Sequence, residues 1–198
     1  LVGMGMVEGV TMAMNQLDAV LEEIAPLVTR INQQTLDAAL VYTASGYNLP
    51  FRNEVHTIQL LTDPLLLALP ATHPAATKQS FDRASLLELE DSPWVFSATP
   101  GDTLDDVVRD AFAGRRFEVA VRTDDYAVAL GMVAAGLGIG LVPRLAAVNV
   151  PDGVALRPID DPRFAREILL ASTGTRNGLS PAVRQLAEAV RRTIETLD

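Results

Sequence analysis

The sequence predicts an α/β protein made of two Rossmann-like subdomains, and three observations lead to that prediction. Strand-like and helix-like segments alternate along most of the chain, as they do in folds built on parallel sheets. The stretch from Val119 to Pro143 alone has the pattern of a strand, a helix and a second strand. Two segments, one beginning at Pro70 and one at Arg166, are placed to carry the chain from one subdomain to the other and back.

The unit between Val119 and Pro143 is the best defined. Val119–Arg122 alternates β-branched residues, as a strand does, and apolar residues then recur at helical spacing from Tyr126 until Gly136. Ile139–Val142 is a short apolar strand of the buried kind. Three residues of types that cap a helix N-terminus lie before the helix: Thr123, Asp124 and Asp125. The unit should therefore lie in a parallel sheet with a right-handed connection.

The beginning of the chain allows two interpretations. Seven apolar residues at steps of three and four would suit a long helix: Val10, Met14, Leu17, Leu21, Ile24, Val28 and Ile31. Pro26 would break such a helix in its middle. The alternative is a strand at Leu17–Glu23, a helix at Ala25–Gln34 with Pro26 in its first turn, and a strand at Leu36–Tyr42.

The rest of the chain continues the alternation. Val55–Leu61 and Leu65–Leu69 are predicted as two strands separated by a turn at Thr62-Asp63-Pro64. The later predicted elements are a helix at Ser85–Leu89, a strand at Trp94–Ser97, a helix capped by Pro100-Gly101-Asp102-Thr103 and running to Ala113, a strand at Val154–Pro158, a strand at Arg166–Ala171 and a helix at Ser180–Leu197 with Pro181 at its first position.

Composition excludes several classes of function. The formal net charge of −9 argues against nucleic-acid binding by this chain, because phosphate contacts need clustered Lys and Arg. The sequence has no cysteine, which excludes disulfides and thiolate chemistry and fits a reducing compartment. No apolar run is long enough to span a bilayer.

The run Gly131–Pro143, GMVAAGLGIGLVP, resembles the signature of the effector-binding domain of LysR-type transcriptional regulators. Four further segments occur in the order expected of that family: Leu36–Tyr42, Asp63–Pro70, His73-Pro74 and Ser92–Phe96. The resemblance extends from about Leu17 to the end of the chain and favours the second interpretation of its beginning. It implies a type 2 periplasmic-binding-protein fold, with one regulatory subdomain at residues 1–72 and 168–198 and the other at 73–167.

The resemblance also implies a function. A small organic effector, such as an organic acid, would bind between the lobes and change the geometry of a homodimer or homotetramer in the cytoplasm, without a cofactor or a metal. Subunits would pack through the apolar faces at Val10–Ile31 and Leu104–Phe112. DNA binding would belong to a separate N-terminal helix-turn-helix domain, and there would be no contact with a membrane. The family needs more residues before the second strand than this chain has, so residues are expected to be missing near 5–17.

Candidate ligand-binding residues lie where predicted strands end, because ligands of open α/β sheets bind beyond the carboxyl ends of strands. Their hydroxyls and backbone amides suit an anion or a polar organic molecule. The candidates are Ser97, Thr99, Pro100, Gly101, Thr123, Tyr42 and Thr43. The resemblance adds Met6 and Val7 to the ligand site and implies a hinge at Pro70, His73, Pro74 and Ile168.

Catalysis is the less favoured hypothesis. The only histidines are His56, in a predicted strand, and His73, in a connection, and the acidic pairs are adjacent residues that point in different directions. The alternatives that remain are a secreted solute-binding protein of an ABC transporter and an enzyme on a bilobal fold, such as a dehydratase of aromatic amino-acid biosynthesis.

Overall fold

The computed structural model describes residues 24–99, 102–113, 115, 117–174 and 179–194. Predicted elements and site residues at 1–23, including the strand at Leu17–Glu23, lie outside the described residues. The strands are β1 Ala38–Ala44, β2 Val55–Pro70, β3 Trp94–Phe96, β4 Val119–Arg122, β5 Ile139–Pro143, β6 Val154–Pro158 and β7 Ala165–Thr173. The α-helices are α1 Ile24–Asn32, α2 Arg83–Leu87, α3 Thr103–Phe112, α4 Tyr126–Ala134 and α5 Pro181–Ile194, and short 3-10 helices lie at Pro74–Thr77 and Arg144–Ala146.

Contacts divide the chain into two compact units. The first comprises residues 1–43, 48–62 and 167–198, and the second comprises residues 44–47 and 63–166. The chain changes unit within β2, between Thr62 and Asp63, and again within β7, between Arg166 and Glu167. The subdomain bounds given above, 1–72 with 168–198 and 73–167, stay a prediction of where the regulatory subdomains begin and end.

The first unit contains β1 beside β7, with the first part of β2 on the other side of β7. Alternate residues of β1 contribute to two apolar clusters, as the pleat of a strand requires. One cluster holds Ile31 of α1 with Ala39, Val41 and Ala171. The other holds the buried side chains of α5 and β7 together with two from β1: Val183, Ala187, Leu170, Ala38 and Leu40.

The second unit places β3 between two parallel neighbours, β4 and β5, so the strand–helix–strand prediction for Val119–Pro143 is confirmed in a parallel arrangement. β5 and β6 each pair antiparallel with β2. α4 covers this sheet with Leu130 and Val133, which pack on Val95 and Val142.

Trp94 is the largest fully buried side chain of the second unit. Its ring lies 5.8 to 6.3 Å from the rings of Phe96, Phe112 and Phe117, all in edge-on contacts. Because Phe96 is the last residue of β3, this aromatic cluster holds the strand end that precedes Ser97.

The structure corrects the prediction of two strands with a turn at Thr62-Asp63-Pro64, since β2 is one strand of 16 residues. Asp63 is buried and its Oδ2 lies 2.9 Å from both Nε and Nη2 of buried Arg166 on β7. The other oxygen, Oδ1, accepts a hydrogen bond of 3.1 Å from the backbone of Leu145. Aspartate often begins a turn, but here the carboxylate of Asp63 pairs with Arg166 inside the second unit, and the chain stays extended.

Helix ends follow the predicted signals. Asp102 caps α3 by accepting from the Leu104 amide at 2.9 Å, and Ala113 ends that helix in a left-handed conformation. Asp125 caps α4 through the amides of Ala127 and Val128. The predicted oligomer surface on α3 is wrong, because the apolar side chains of this helix are buried within their own unit: Leu104, Val107, Val108, Ala111 and Phe112.

None of the helices in the described ranges is both long enough and apolar enough to cross a membrane.

Candidate functional site

The carboxyl ends of β3 and β4 lie side by side in the second unit. Phe96 is paired with Arg122 in the parallel ladder, and the amide of Thr123 donates to the carbonyl of Phe96 at 2.9 Å. The residues that follow these strands, Ser97–Thr99 and Thr123–Asp125, therefore occupy one edge of the sheet. That edge is where open α/β sheets bind ligands.

Ser97, Ala98 and Thr99, which we call the 97–99 loop, direct four donors at the carboxylate of Asp124. Oδ1 accepts from the Ser97 hydroxyl at 2.6 Å, the Ala98 amide at 2.8 Å and the Thr99 amide at 3.0 Å. Oδ2 accepts from the Thr99 hydroxyl at 3.0 Å. Limited burial would raise the pKa of Asp124, but the hydrogen bonds from Ser97, Thr99 and Ala98 outweigh it and hold that pKa below its usual value.

Behind this loop, Arg122 and Asp105 hold the backbone of Ser97. Arg122 Nη1 donates to the Ser97 carbonyl at 2.8 Å, and Asp105 Oδ1 accepts from the Ser97 amide at 3.3 Å. Arg122 Nη1 and Asp105 Oδ2 are 3.7 Å apart. Burial raises the pKa of Asp105 to about 7, with Asp102 adding to the shift and Arg122 opposing it. Burial likewise raises the pKa of Asp102.

Thr123 has a capping role as well as its predicted ligand role. Its hydroxyl oxygen accepts a hydrogen bond of 3.2 Å from the amide of Asp125, the residue that caps α4. The side chain is half-buried at the same sheet edge as Ser97. Of the predicted ligand residues, the structure thus brings together Ser97, Thr99 and Thr123.

The other predicted ligand residues are placed elsewhere or are not described. Tyr42 and Thr43 lie near the end of β1 in the first unit, with Thr43 buried. Four residues lie outside the described ranges: Met6, Val7, Pro100 and Gly101. Their part in binding stays a prediction.

The predicted hinge residues fall on both units. Pro70 ends β2, and His73 caps the 3-10 helix that begins at Pro74, its Nδ1 accepting from the Ala75 amide at 3.2 Å. All three lie within the second unit, later in the chain than the change of unit inside β2, whereas buried Ile168 lies in the first-unit part of β7. A hinge role for these four residues stays a prediction.

The segment Arg122-Thr123-Asp124 was predicted as a strand end near the ligand, but the contacts of Asp124, Arg122 and Asp105 with the 97–99 loop were not predicted. Asp124 and Arg122 are 25 or more residues from Ser97 in the chain, and Asp105 was placed only in the first turn of its helix. The available signal was a carboxylate placed directly after β4, at the same sheet edge as the hydroxyl-rich end of β3.

A second feature that sequence reasoning missed is a polar pocket of about 570 Å³ on the first unit. Asn32 at the end of α1 fixes one wall, because its side chain donates to the Pro50 carbonyl and accepts from the Arg52 amide. No spacing pattern joins its lining residues, which come from separate segments: Ile31, Asn32, Gln34, Arg52, Asn53, Glu54, Val55 and Thr173.

Other chemistry has little support in the described part of the chain. Within it, no three His, Asp or Glu side chains gather as a metal site would need. His56 is an exposed residue of β2 in the first unit, and the ring of His73 caps a short helix in the second. The sheet edge described above gathers hydroxyls and backbone amides around the Asp124 carboxylate.

The sequence matches the family model described as LysR substrate binding domain over residues 16–195. Among curated proteins, no significant match was found.

Solved structures that resemble this chain include the reduced OxyR regulatory domain from Pseudomonas aeruginosa, with 25% identity, a TM-score of 0.65, and 86% of this chain and 78% of that chain covered. The C-terminal domain of a probable LysR family regulator from Rhodococcus sp. RHA1 has 27% identity, a TM-score of 0.61, and coverages of 83% and 78%. The BenM effector binding domain with its effector benzoate, at 20% identity, shares the fold with a TM-score of 0.68 and coverages of 88% and 76%.

Proposed function

This chain belongs to the LysR substrate binding domain family, the ligand-sensing part of LysR-type transcriptional regulators, and we propose that it senses its effector with the strand ends of its second unit. The observation that carries this proposal is the shared sheet edge at which the 97–99 loop and Thr123 lie together. A small molecule at this edge would meet hydroxyls and backbone amides on a frame fixed by β3, β4 and the aromatic cluster around Trp94.

The effector class that we propose is a small polar organic molecule, with organic acids among the candidates. Tyr42 and Thr43 would contribute from the first unit, and Pro100, Gly101, Met6 and Val7 would complete the site. The benzoate named for the BenM domain supports the general size of such a ligand, although that protein is only 20% identical.

The response that we propose is a change in the arrangement of the regulatory subdomains, with Pro70, His73, Pro74 and Ile168 as the hinge. An effector can shift that arrangement only through its different affinities for the two states. The protein would act as a cytoplasmic sensor rather than an enzyme, as a homodimer or homotetramer, and would reach DNA through a separate helix-turn-helix domain. Sedimentation analysis tests the oligomer, since a monomer at tens of micromolar would contradict it.

The binding site is tested with two variants of the 97–99 loop. A thermal-shift screen of small polar metabolites first identifies an effector, and calorimetry then measures its affinity for the wild type, Ser97→Ala and Thr99→Val. Loss of one hydrogen bond contributes about 0.5–1.5 kcal/mol, so we expect affinity to fall about 2- to 10-fold in each variant.

The matched control is Thr77→Val, the same substitution at an exposed threonine of the 3-10 helix in the same unit. Its effector affinity should equal that of the wild type. Unchanged affinity in both loop variants, with all proteins folded, would move the effector site away from this edge.

A further inference from the structure

The 97–99 loop already holds an anion, and that anion is the side chain of Asp124. Two backbone amides and two hydroxyls from three consecutive residues converge on one carboxylate at 2.6 to 3.0 Å. Successive amides that point into one concavity form the kind of nest with which proteins bind carboxylates and phosphates. A carboxylate or phosphate arriving from solution would need the same donors.

The internal carboxylate has a thermodynamic advantage over an external one. It sits two residues beyond the end of β4, so its placement costs little translational and rotational freedom, whereas an external acid loses both on binding. Tethered groups of this kind act at effective concentrations of about millimolar or more. An external carboxylate that displaces Asp124 therefore gains only a net free energy. That net value is the free energy of its own hydrogen bonds to the loop minus that of the hydrogen bonds that Asp124 loses.

The surrounding charges add to this discrimination. Asp102 and Asp105 lie at the same edge, where Arg109 also acts on Asp105, and Arg122 already contacts Asp105 at 3.7 Å and the Ser97 carbonyl at 2.8 Å. A second anion at the loop would be repelled by the carboxylate of Asp124 and, above about pH 7, by that of Asp105 as well. Thr99 and Asp124 are themselves exposed, so the loop is within reach of solutes.

We infer that Asp124 is a specificity-determining residue that fills the 97–99 loop, excludes carboxylates and phosphates from it, and leaves this edge to an uncharged or cationic group of the effector. This inference rests on the proposed function, because it assumes that the effector contacts this edge. It narrows the effector class given above, since an organic acid would have to place its carboxylate elsewhere.

The test measures anion binding and needs no knowledge of the effector. Acetate, benzoate, inorganic phosphate and sulfate are titrated by calorimetry at fixed ionic strength into the wild type, Asp124→Ala and Asp124→Asn. We expect Asp124→Ala to bind at least one of these anions about tenfold or more tightly than the wild type does, which corresponds to about 1.4 kcal/mol. Asp124→Asn should show a smaller gain, because its amide is a weaker competitor for the same donors.

Two variants make the result specific to the loop. Asp152→Ala removes one negative charge from an exposed position of the same unit and should bind anions as weakly as the wild type. Adding Ser97→Ala to Asp124→Ala removes a donor and should reduce the gain.

Circular dichroism shows which variants are folded, and if Asp124→Ala is not folded, Asp124→Asn decides the outcome. A folded Asp124→Ala that binds all four anions no better than the wild type would overturn the inference, as would the same result for Asp124→Asn if Asp124→Ala is not folded. So would a wild type that already binds one of them as tightly as the variant does. Neither result changes the outcome of the effector-affinity measurements on the Ser97 and Thr99 variants. The inference about Asp124 can therefore be overturned without overturning the proposed effector site.

Discussion

Asp105 combines two environments that act on its charge in opposite directions. Its side chain is only 15% exposed, which disfavours the carboxylate, while Arg122 at 3.7 Å and the Ser97 amide favour it. Burial is the larger effect and raises the pKa of Asp105 to about 7.

The pH dependence of stability follows from that pKa. Because the folded state holds the proton of Asp105 more tightly than the unfolded state does, the contribution of Asp105 to the free energy of unfolding falls as pH rises from about 4 to about 7. Above about 8 both states are ionised and the contribution is constant. Urea titrations at a series of pH values measure the free energy of unfolding of the wild type and of Asp105→Asn. The wild-type value minus the Asp105→Asn value should fall as pH rises over this window.

The comparison cancels the other titrating groups, because they are common to both proteins. Thr77→Val, measured over the same range, should give a profile parallel to that of the wild type. A wild-type minus Asp105→Asn difference that stays constant from pH 4 to pH 8 would contradict the assignment.

Residue-level prediction from the sequence reached features that have a local cause. Ser97 and Thr99 were predicted to follow the end of a strand, although their part in binding stays a prediction, and the start of α3 was placed at Pro100–Thr103 because capping is a local interaction. The contact between Asp124 and the 97–99 loop joins residues that follow two different strands. Its existence depends on β3 and β4 being neighbours in register, which local patterns do not determine.

Gly138, in the family signature, lies directly before β5 and close to the backbone that precedes β3. A Cβ atom added at Gly138 would lie 2.7 Å from the Pro93 carbonyl oxygen, a backbone atom that also accepts the Ile139 amide at 2.8 Å. Gly136 has a φ of +76° and ends α4, the position at which glycine is favoured.

Gly138→Ala should destabilise the protein, because β5 or the segment at Pro93 must move to relieve the contact. Overpacking of this kind costs about 1–3 kcal/mol. Gly131→Ala is the matched control, since it lies inside α4 and its added Cβ would meet no atom of the described residues within 4 Å. That variant should be stabilised by up to about 1 kcal/mol through helix propensity. Urea unfolding followed by circular dichroism measures both, and equal stabilities of the two variants would refute the steric account.

At this scale the elements with strong local signals were predicted well. The helices that begin with Asp102, Asp125 and Pro181 have their predicted starts, and β3 to β5 were found within a residue or so of their ends. The prediction of two strands in place of β2 was wrong, because Asp63-Pro64 has the composition of a turn. The tertiary ion pair to Arg166 overrides that local preference.

Across the whole molecule, the buried pair of Asp63 and Arg166 lies at the two ends of the long segment 63–166 of the second unit. Asp63→Asn would remove the charge of the carboxylate that pairs with buried Arg166, and breaking a buried pair in this way costs about 3–5 kcal/mol. The double variant Asp63→Asn/Arg166→Met removes both charges and keeps an acceptor for the Leu145 amide, so it should lose less stability than Asp63→Asn alone. Thermal and urea unfolding would measure this, and a double variant less stable than the single one would contradict it.

The division of the chain into two units was expected from the sequence because strands and helices alternate and two segments connect the subdomains. The ends of the long segment 63–166 of the second unit were not expected, since they lie inside the continuous strands β2 and β7 rather than at connecting segments such as Pro70–Lys78. Composition marks loops well but gives no sign of a strand that belongs to both units.

That placement has an evolutionary consequence. Apart from residues 44–47, the second unit is a single insertion that opens at Asp63 and closes at Arg166, and one guanidinium–carboxylate contact joins its two ends. An insertion with adjacent ends can exchange its loops, and with them its ligand preference, while the host strands keep their path. A lineage could therefore acquire a new chemical signal by altering one segment of about a hundred residues, and leave the remainder of the sensor under its older constraints.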